Sequence, residues 1–465
     1  MNKLKLGGLL ICSIVLTAFM NKKSDKQRIQ PWKENPWFWQ YENRPVMLLG
    51  ASDDDNLFQW PANRLVSHLD SMKVIGANYV RNTMSDRQDR GFELYPFKML
   101  DNGKYDLEQW NDDYWQRFEF FLRETRKRDI IVQIEIWDRF DYSRQNWLSH
   151  PYNPGNNVSY SESESGLAPD YPDHPGRNKQ PFFFTTPEQR HNTLLLNFQK
   201  RFVEKLLSIS LKFDHVLYCI DNETSGEEEW AVFWAEFILD KATKKEKEIC
   251  VTEMWDNWDL RSDHHKRTFD HPERYVYCDI SQNNQKKGQA HWDNLMWVRK
   301  YLSAHPRPLN TVKTYGSDSG PHGNTQDGIE RWWRHVLGGV ASARFHRPPS
   351  GLGLSKLSIA QVKAVREIES VIRLWELNPH NELLSDCLEN EAYLAEKKGE
   401  AYVVYFPASG SVGLNLSDFD EEFNFRWMNI QQGSWASGQK IAGGEIVKLT
   451  PPNAEGWVAV ISRLN

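Results

Sequence analysis

Residues 215–225 read HVLYCIDNETS. The stretch 216–220 is short and apolar, as suits a buried strand, and it stops on Asp221, Asn222, Glu223 and Thr224. A buried strand ending in two carboxylates either opens into a polar site or runs out into a solvated loop. In a (β/α)8 barrel, strand tips of this kind carry the catalytic groups. The pattern on both sides of residues 215–225 decides which applies.

Upstream, 45–50 (PVMLLG), 77–81 (ANYVR) and 130–136 (IIVQIEI) are strand-like, and 249–252, 275–278, 309–312 and 343–345 continue the series downstream. Between them, segments such as 64–75, 112–128, 187–211, 227–243, 290–302, 326–337 and 358–374 have the apolar spacing of helices. Eight strands alternating with helices predict an α/β chain whose residues 30–376 form a (β/α)8 TIM barrel. A doubly wound open sheet is the alternative, but no glycine-rich phosphate loop follows the first strand. The segment 142–186, rich in Asn, Gly, Pro and Ser, is a long loop of the sort that usually carries function. Beyond 378 the texture changes to short alternating runs (393–395, 401–406, 412–416, 424–427, 445–449 and 456–461), which predict a small all-β sandwich over 378–465.

A length of 465 residues suits one barrel plus this smaller module. Aromatics make up 13%, with 20 Trp and 17 Tyr, enough to fill a core and leave rings to stack on sugar faces. The formal charge of −6 argues against a nucleic-acid partner. At the N-terminus a basic MNKLK precedes the apolar run 6–20, which is short of the about 20 residues a spanning helix wants. Residues 1–20 therefore read as an export signal or, uncleaved, as a membrane tether. The expected location is the periplasm, the outer surface or the medium. Cys219, Cys250 and Cys278 lie in apolar strand-like runs, and with Cys387 they are spaced too widely for a metal motif. No metal site or cofactor is expected.

The strand ends present Asp53, Asp54, Asp55, Arg81, Asn82, Glu135, Asp138, Asn222, Glu223, Glu253, Asp256, Asp279, Lys313, Asp318, Arg344, His346 and Arg347. Hydrolysis of a glycosidic bond needs two carboxyl groups, one protonated and one ionised. Glu223 is the expected general acid/base, with Glu253 its partner and Asp138 and Asp279 the other candidates. Arg81 and Asn222 are expected to orient these groups and a sugar hydroxyl. Trp137 and Trp255 are expected to be stacking platforms, and Asp138, Asp279, Lys313 and His346 further substrate contacts. His264 and His265 are adjacent rather than four apart, so no HExxH zinc helix exists, and the spacing around Ser317 is wrong for a nucleophile elbow.

The run Gly76-Ala77-Asn78-Tyr79-Val80-Arg81 resembles the G-x-N-x-x-R second strand of the large clan of retaining (β/α)8 glycoside hydrolases, which includes cellulases and β-galactosidases. Residues 103–107 (GKYDL) and 110–115 (WNDDYW) are similar to its DUF4038-type branch, which includes apiosidases. Asn222-Glu223 matches the acid/base position of that clan. Residues 402–407 (YVVYFP), Arg426-Trp427 and 451–461 (PPNAEGWVAVI) are similar to the collagen-binding-type β-module that trails such barrels. The resemblance implies a glycosidase acting on a poly- or oligosaccharide. It also implies a Glu nucleophile at the end of the seventh strand, where this chain has Lys313. Three explanations follow: a carboxylate from another strand, an inverting enzyme, or a glycan-binding protein on a degenerate barrel. A polysaccharide lyase using Lys313, Tyr315 or His346 is a further alternative. Lys313, Arg344, His346 and Arg347 point either to an anionic glycan or to Arg–carboxylate pairs inside the site.

Overall fold

The structure, a computed structural model, describes residues 27–85 and 87–464. The apolar segment 6–20 lies outside these. Among the described residues no helix is long and apolar enough to cross a membrane.

Eight parallel strands occupy the first three quarters of the chain: β1 (Leu48–Ala51), β2 (Tyr79–Thr83), β3 (Ile131–Asp138), β4 (Val216–Asn222), β5 (Val251–Thr252), β6 (Cys278–Asp279), β7 (Leu309–Thr314) and β8 (Ser342–Phe345). They form two four-stranded sheets, ordered β5-β4-β3-β2 and β6-β7-β8-β1. Between the sheets, Asn78 N donates to Leu49 O at 2.8 Å on one side. On the other, Thr252 Oγ1 donates to Tyr277 O at 2.8 Å.

A helix follows each strand: α1 (Ala62–Val74), α2 (Asp112–Arg126), α3 (Thr193–Ser210), α4 (Glu228–Thr243), α5 (Asp263–Phe269), α6 (Gly288–Tyr301), α7 (Thr325–Leu337) and α8 (Lys356–Glu369). Helix α2 shows why the pattern folds this way. Asn111 caps its N-terminus, acids fill its first turn, and Tyr114, Trp115, Phe118, Phe121 and Leu122 bury one face.

The enclosed side of the strands is filled by Leu48, Tyr79, Ile131, Leu217, Cys219, Tyr277 and Val312. Trp39, from an N-terminal antiparallel sheet, joins this cluster, edge-on to Tyr277 at 5.2 Å and donating Nε1 to Asn310 Oδ1 at 2.9 Å. Buried Tyr79, Gln133 and Asn310 are satisfied by one another, with Tyr79 OH on Gln133 Oε1 at 2.6 Å and Asn310 Nδ2 on Tyr79 OH at 3.1 Å.

The rest of the chain is antiparallel: β9 (Asn378–Pro379), β10 (Leu384–Ser385), β11 (Tyr393–Lys397), β12 (Ala401–Phe406), β13 (Val412–Asn415), β14 (Glu422–Asn429), β15 (Ser434–Ala442), β16 (Ile446–Leu449) and β17 (Trp457–Arg463). A six-stranded sheet, β9-β11-β12-β17-β14-β15, accompanies a three-stranded one, β10-β13-β16. Strand β12 is buried on both faces. Tyr402, Val404 and Phe406 pack with Leu414 and Leu449 of the smaller sheet. Val403 and Tyr405 join the helix-side core, where Tyr405 stacks on Trp333 of α7 at 5.7 Å.

Candidate active site

The C-terminal ends of β1, β2, β3, β4, β7 and β8 surround a polar cleft of about 250 Å³. Asp55, Arg81, Asp138, Asn222, Glu223, Lys313, Tyr315, His346 and Arg347 line it. Six of the expected site residues therefore meet in one place: Glu223, Arg81, Asn222, Asp138, Lys313 and His346.

Glu223 follows β4 directly and has φ 46°, the left-handed region that a non-glycine residue enters at a cost of about 1–3 kcal/mol. Backbone bonds hold it there. Thr224 N donates to Met254 O at 2.8 Å, and Asp256 N donates to Thr224 O at 2.7 Å. Oε1 takes three donors: Lys313 Nζ at 2.7 Å, Tyr315 OH at 2.7 Å and Gln282 Nε2 at 2.9 Å. Burial pushes this carboxyl up, but the Lys313 ammonium and these hydrogen bonds outweigh it and hold the group well below the usual carboxylate range. Glu223 is an ionised carboxylate with one oxygen immobilised.

Lys313 reaches the cleft through a bulge. Strand β7 carries one extra residue against β8 between Thr311 and Thr314, so Lys313 turns toward Glu223 and Asn222 directly after inward-packed Val312.

Asp55 is the second hub. Its carboxylate meets Arg81 Nη1 at 2.9 Å, Arg344 Nη2 at 2.9 Å and Arg347 Nε at 2.7 Å. Burial raises the Asp55 carboxyl, yet Arg81, His346 and the other two arginines hold it well below its ordinary value. Arg81 also donates Nε to Glu135 Oε2 at 2.7 Å, beneath the cleft. Arg87 pairs with both Asp138 and Asp141. The cationic side chains of the strand ends are thus engaged by carboxylates of the protein itself, the Arg–carboxylate alternative raised by the sequence.

Four expected site residues do not line the cleft. Glu253 is fully buried behind it, where Oε1 accepts Asp221 N at 3.0 Å and Met254 N at 2.7 Å, and burial with the neighbouring Asp221 raises its carboxyl well above the ordinary value. Trp137 points outward to the helices, its ring 5.3 Å from those of Trp234 and Phe202. Trp255 is in the core and donates Nε1 to Thr268 Oγ1 at 2.8 Å. Asp279 is held by Ser281 N at 2.8 Å and Gln133 Nε2 at 3.0 Å. The interior uses all four side chains, which sets Glu253 as partner, Asp279 as substrate contact and the two tryptophans as platforms apart from the cleft.

Gln282 and Arg87 join the cleft network, and nothing in their spacing distinguishes them; Tyr315, which the sequence offers only as a base for lyase chemistry, joins it by donating to Glu223. Asp256, one of the strand-end residues of the sequence, is not among the residues that line the cleft. Half-buried beyond β5, it accepts no hydrogen bond from a described residue, and burial with the Glu223 charge pushes its carboxyl up to about 6 against the opposing pull of Lys313. No group of three or more potential metal ligands exists among the described residues.

No protein-family model and no curated protein matches the sequence. Among solved structures, the chain is similar to a family 5 glycoside hydrolase from Bacteroides vulgatus, at 12% identity and a TM-score of 0.62, covering 94% of this chain and 93% of that one. It is also similar to a structure described as a glycoside hydrolase, at 11% identity and a TM-score of 0.63, covering 94% and 97%. At such identity the likeness is one of fold.

Proposed function

We propose that this chain is a glycoside hydrolase that cleaves O-glycosidic bonds in a poly- or oligosaccharide, with Glu223 as its essential carboxylate. The observation that supports this is the setting of Glu223: at the end of β4 in a polar cleft, with one oxygen held by Lys313, Tyr315 and Gln282. A fixed negative charge there stabilises the oxocarbenium-like centre that forms when a glycosidic bond breaks. Arg81 pairs with Asp55 in the cleft and with Glu135 beneath it, and Asn222, bonded to Lys313, steadies the ammonium.

We read the two parallel sheets as one (β/α)8 barrel over residues 30–376 and the antiparallel strands as a separate sandwich over 378–465. The motifs at 76–81, 103–107 and 110–115 support a place in the apiosidase-containing branch of the retaining clan, and residues 402–407 and 451–461 support a collagen-binding-type module. The N-terminal apolar run supports export to the periplasm, outer surface or medium.

Hydrolysis is favoured over lyase chemistry because Lys313 and Tyr315 both donate to Glu223 instead of standing free as bases. A second reading, glycan binding without turnover, is favoured by one observation: the Lys313 ammonium already neutralises the Glu223 charge. Incubating the protein and its Glu223→Gln variant with a panel of plant and algal glycans separates the two. Hydrolysis lost in the variant supports the enzyme, and binding without hydrolysis by either protein supports the alternative.

A further inference from the structure

Glu223 stands on a bulge. Strands β4 and β5 are in register at Cys219 and Thr252, and they meet again at the parallel bridge between Thr224 and Trp255. That is five steps along β4 against three along β5, so the β4 side carries two extra residues in the interval. Extra residues on one strand interrupt the ladder and re-aim a side chain. Glu223 is the last residue before the pairing resumes, and its φ of 46° falls within the interval.

A side chain fills the gap in the ladder. Inside the interval the Asp221 amide donates to Glu253 Oε1 at 3.0 Å, and the Met254 amide donates to the same oxygen at 2.7 Å. Met254 O in turn accepts Thr224 N at 2.8 Å. One buried carboxyl oxygen therefore ties the strand two residues before Glu223 to the segment that holds the residue after it. The other end of Glu223 is equally exacting. Its Oε1 meets Lys313 and Tyr315 from the end of β7 and Gln282 from the segment after β6. A bulge that slipped would carry that oxygen away from all three donors at once.

Resting on the hydrolytic function above, we propose that Glu253 is a positioning residue for Glu223. Its Oε1 stands in for the missing ladder partner and fixes the bulge that presents the Glu223 carboxylate to its donors and to the cleft. Glu253 itself lines no part of the cleft. What the bulge requires is an acceptor with the reach of a glutamate side chain, not a charge. Burial and the neighbouring Asp221 favour a proton on Glu253, and a glutamine amide has the shape of that protonated group, with a carbonyl oxygen for the two backbone amides. A methionine fills similar space and brings no oxygen.

Crystal structures of Glu253→Gln and Glu253→Met, paired with kinetics, test this. The 2.7 Å contact between Lys313 and Glu223 is expected to stay in Glu253→Gln and to be lost in Glu253→Met. The rates are measured on 2,4-dinitrophenyl glycosides of gluco-, galacto- and manno-configured sugars. Glu253→Met is expected to lose about 10²-fold in kcat, the cost of about 1 Å of misplacement, with KM little changed because Glu253 touches no substrate. Glu253→Gln is expected to keep most of the wild-type rate, a rescue that general damage to the interior would not show. A folded Glu253→Met that keeps the contact or its kcat would overturn the proposal, and so would equal kcat losses in both variants. If Glu253→Met does not fold, Glu253→Asp takes its place. It keeps the carboxyl and withdraws the oxygen by one methylene, so the contact is again expected to be lost, and a Glu223 left in place overturns the proposal. If the wild-type protein hydrolyses none of these glycosides, the hydrolytic function fails on them while the structures alone still decide the positioning.

Discussion

The Lys313 ammonium lies 2.7 Å from Glu223 Oε1, the same oxygen that takes the Tyr315 hydroxyl and the Gln282 amide. This contact decides the charge state of Glu223 over most of the pH range. Burial alone would have raised the carboxyl, and the ammonium reverses the sign.

Lys313→Met should therefore return Glu223 to an ordinary or raised pKa. The acidic limb of the pH–rate profile is expected to move up by at least about one pH unit, since one unit corresponds to about 1.36 kcal/mol of differential interaction. Steady-state kinetics between pH 3 and 8 check this. An unmoved limb would mean that Lys313 does not set the charge of Glu223.

Asp55→Asn leaves Arg81, Arg344 and Arg347 around a neutral amide. Removing one partner from a buried ion network costs about 3–5 kcal/mol, and urea unfolding at pH 7 should show a loss of that size. Asp55 has a depressed folded pKa, so its stabilisation is present above the unfolded value of 3.8 and is lost as pH falls through the folded one. The gap between variant and wild type should therefore hold from pH 7 down to about pH 4 and shrink only below that.

Glu135 carries the opposite sign. Burial raises its carboxyl to about 7, against the pull of Arg81 and Lys313. The folded state keeps a proton that the unfolded chain releases near 4.5, so this group's contribution is complete below pH 4.5 and is lost as pH rises toward 7. A gap of about 2.5 pH units amounts to about 3 kcal/mol. Glu135→Gln has no proton to lose, so its stability relative to wild type should improve by about that much between pH 4.5 and 8. Denaturation at both pH values tests this, and a constant difference would refute it.

Gly50 sits where β1 passes β2. A Cβ there would lie 2.2 Å from the Tyr79 carbonyl oxygen and 3.1 Å from Arg344 Cγ, contacts that only a shift of the strands can relieve. Gly50→Ala should cost about 1–3 kcal/mol or more by overpacking, visible as a lower Tm. An unchanged Tm would show that the seam between these strands yields freely.

Much of this arrangement was legible in the apolar runs. All eight parallel strands fall at or beside them, because a strand covered on both faces must be apolar throughout. What stayed hidden is local. Counting by twos from inward Glu135 places Trp137 in the mouth and Ile136 outside, yet both face the helix layer, and inward orientation resumes at Asp138. The paired strand β4 does the same, with Ile220 and Asp221 outward and Asn222 inward. A one-residue slip of this kind leaves no trace in composition. Strand β15 (SWASGQKIA) leaves no signal in the sequence because it is mostly exposed and has no apolar run, and α5 leaves none because it is only seven residues long. Glu253 stands out in the sequence by its residue type at a strand end. Its burial under two backbone amides depends on how β4 and β5 meet.

The most direct measurement is the hydrolysis rate of the Glu223→Gln protein on whichever glycan the wild-type protein cleaves, with the fold of the variant confirmed by its thermal transition. The amide removes the anion and keeps the shape. Electrostatic groups of this kind are worth about 10²–10³ in kcat. A loss of at least that size in a folded variant is the predicted result. A folded variant that keeps its rate within tenfold of wild type would contradict the central place given to Glu223.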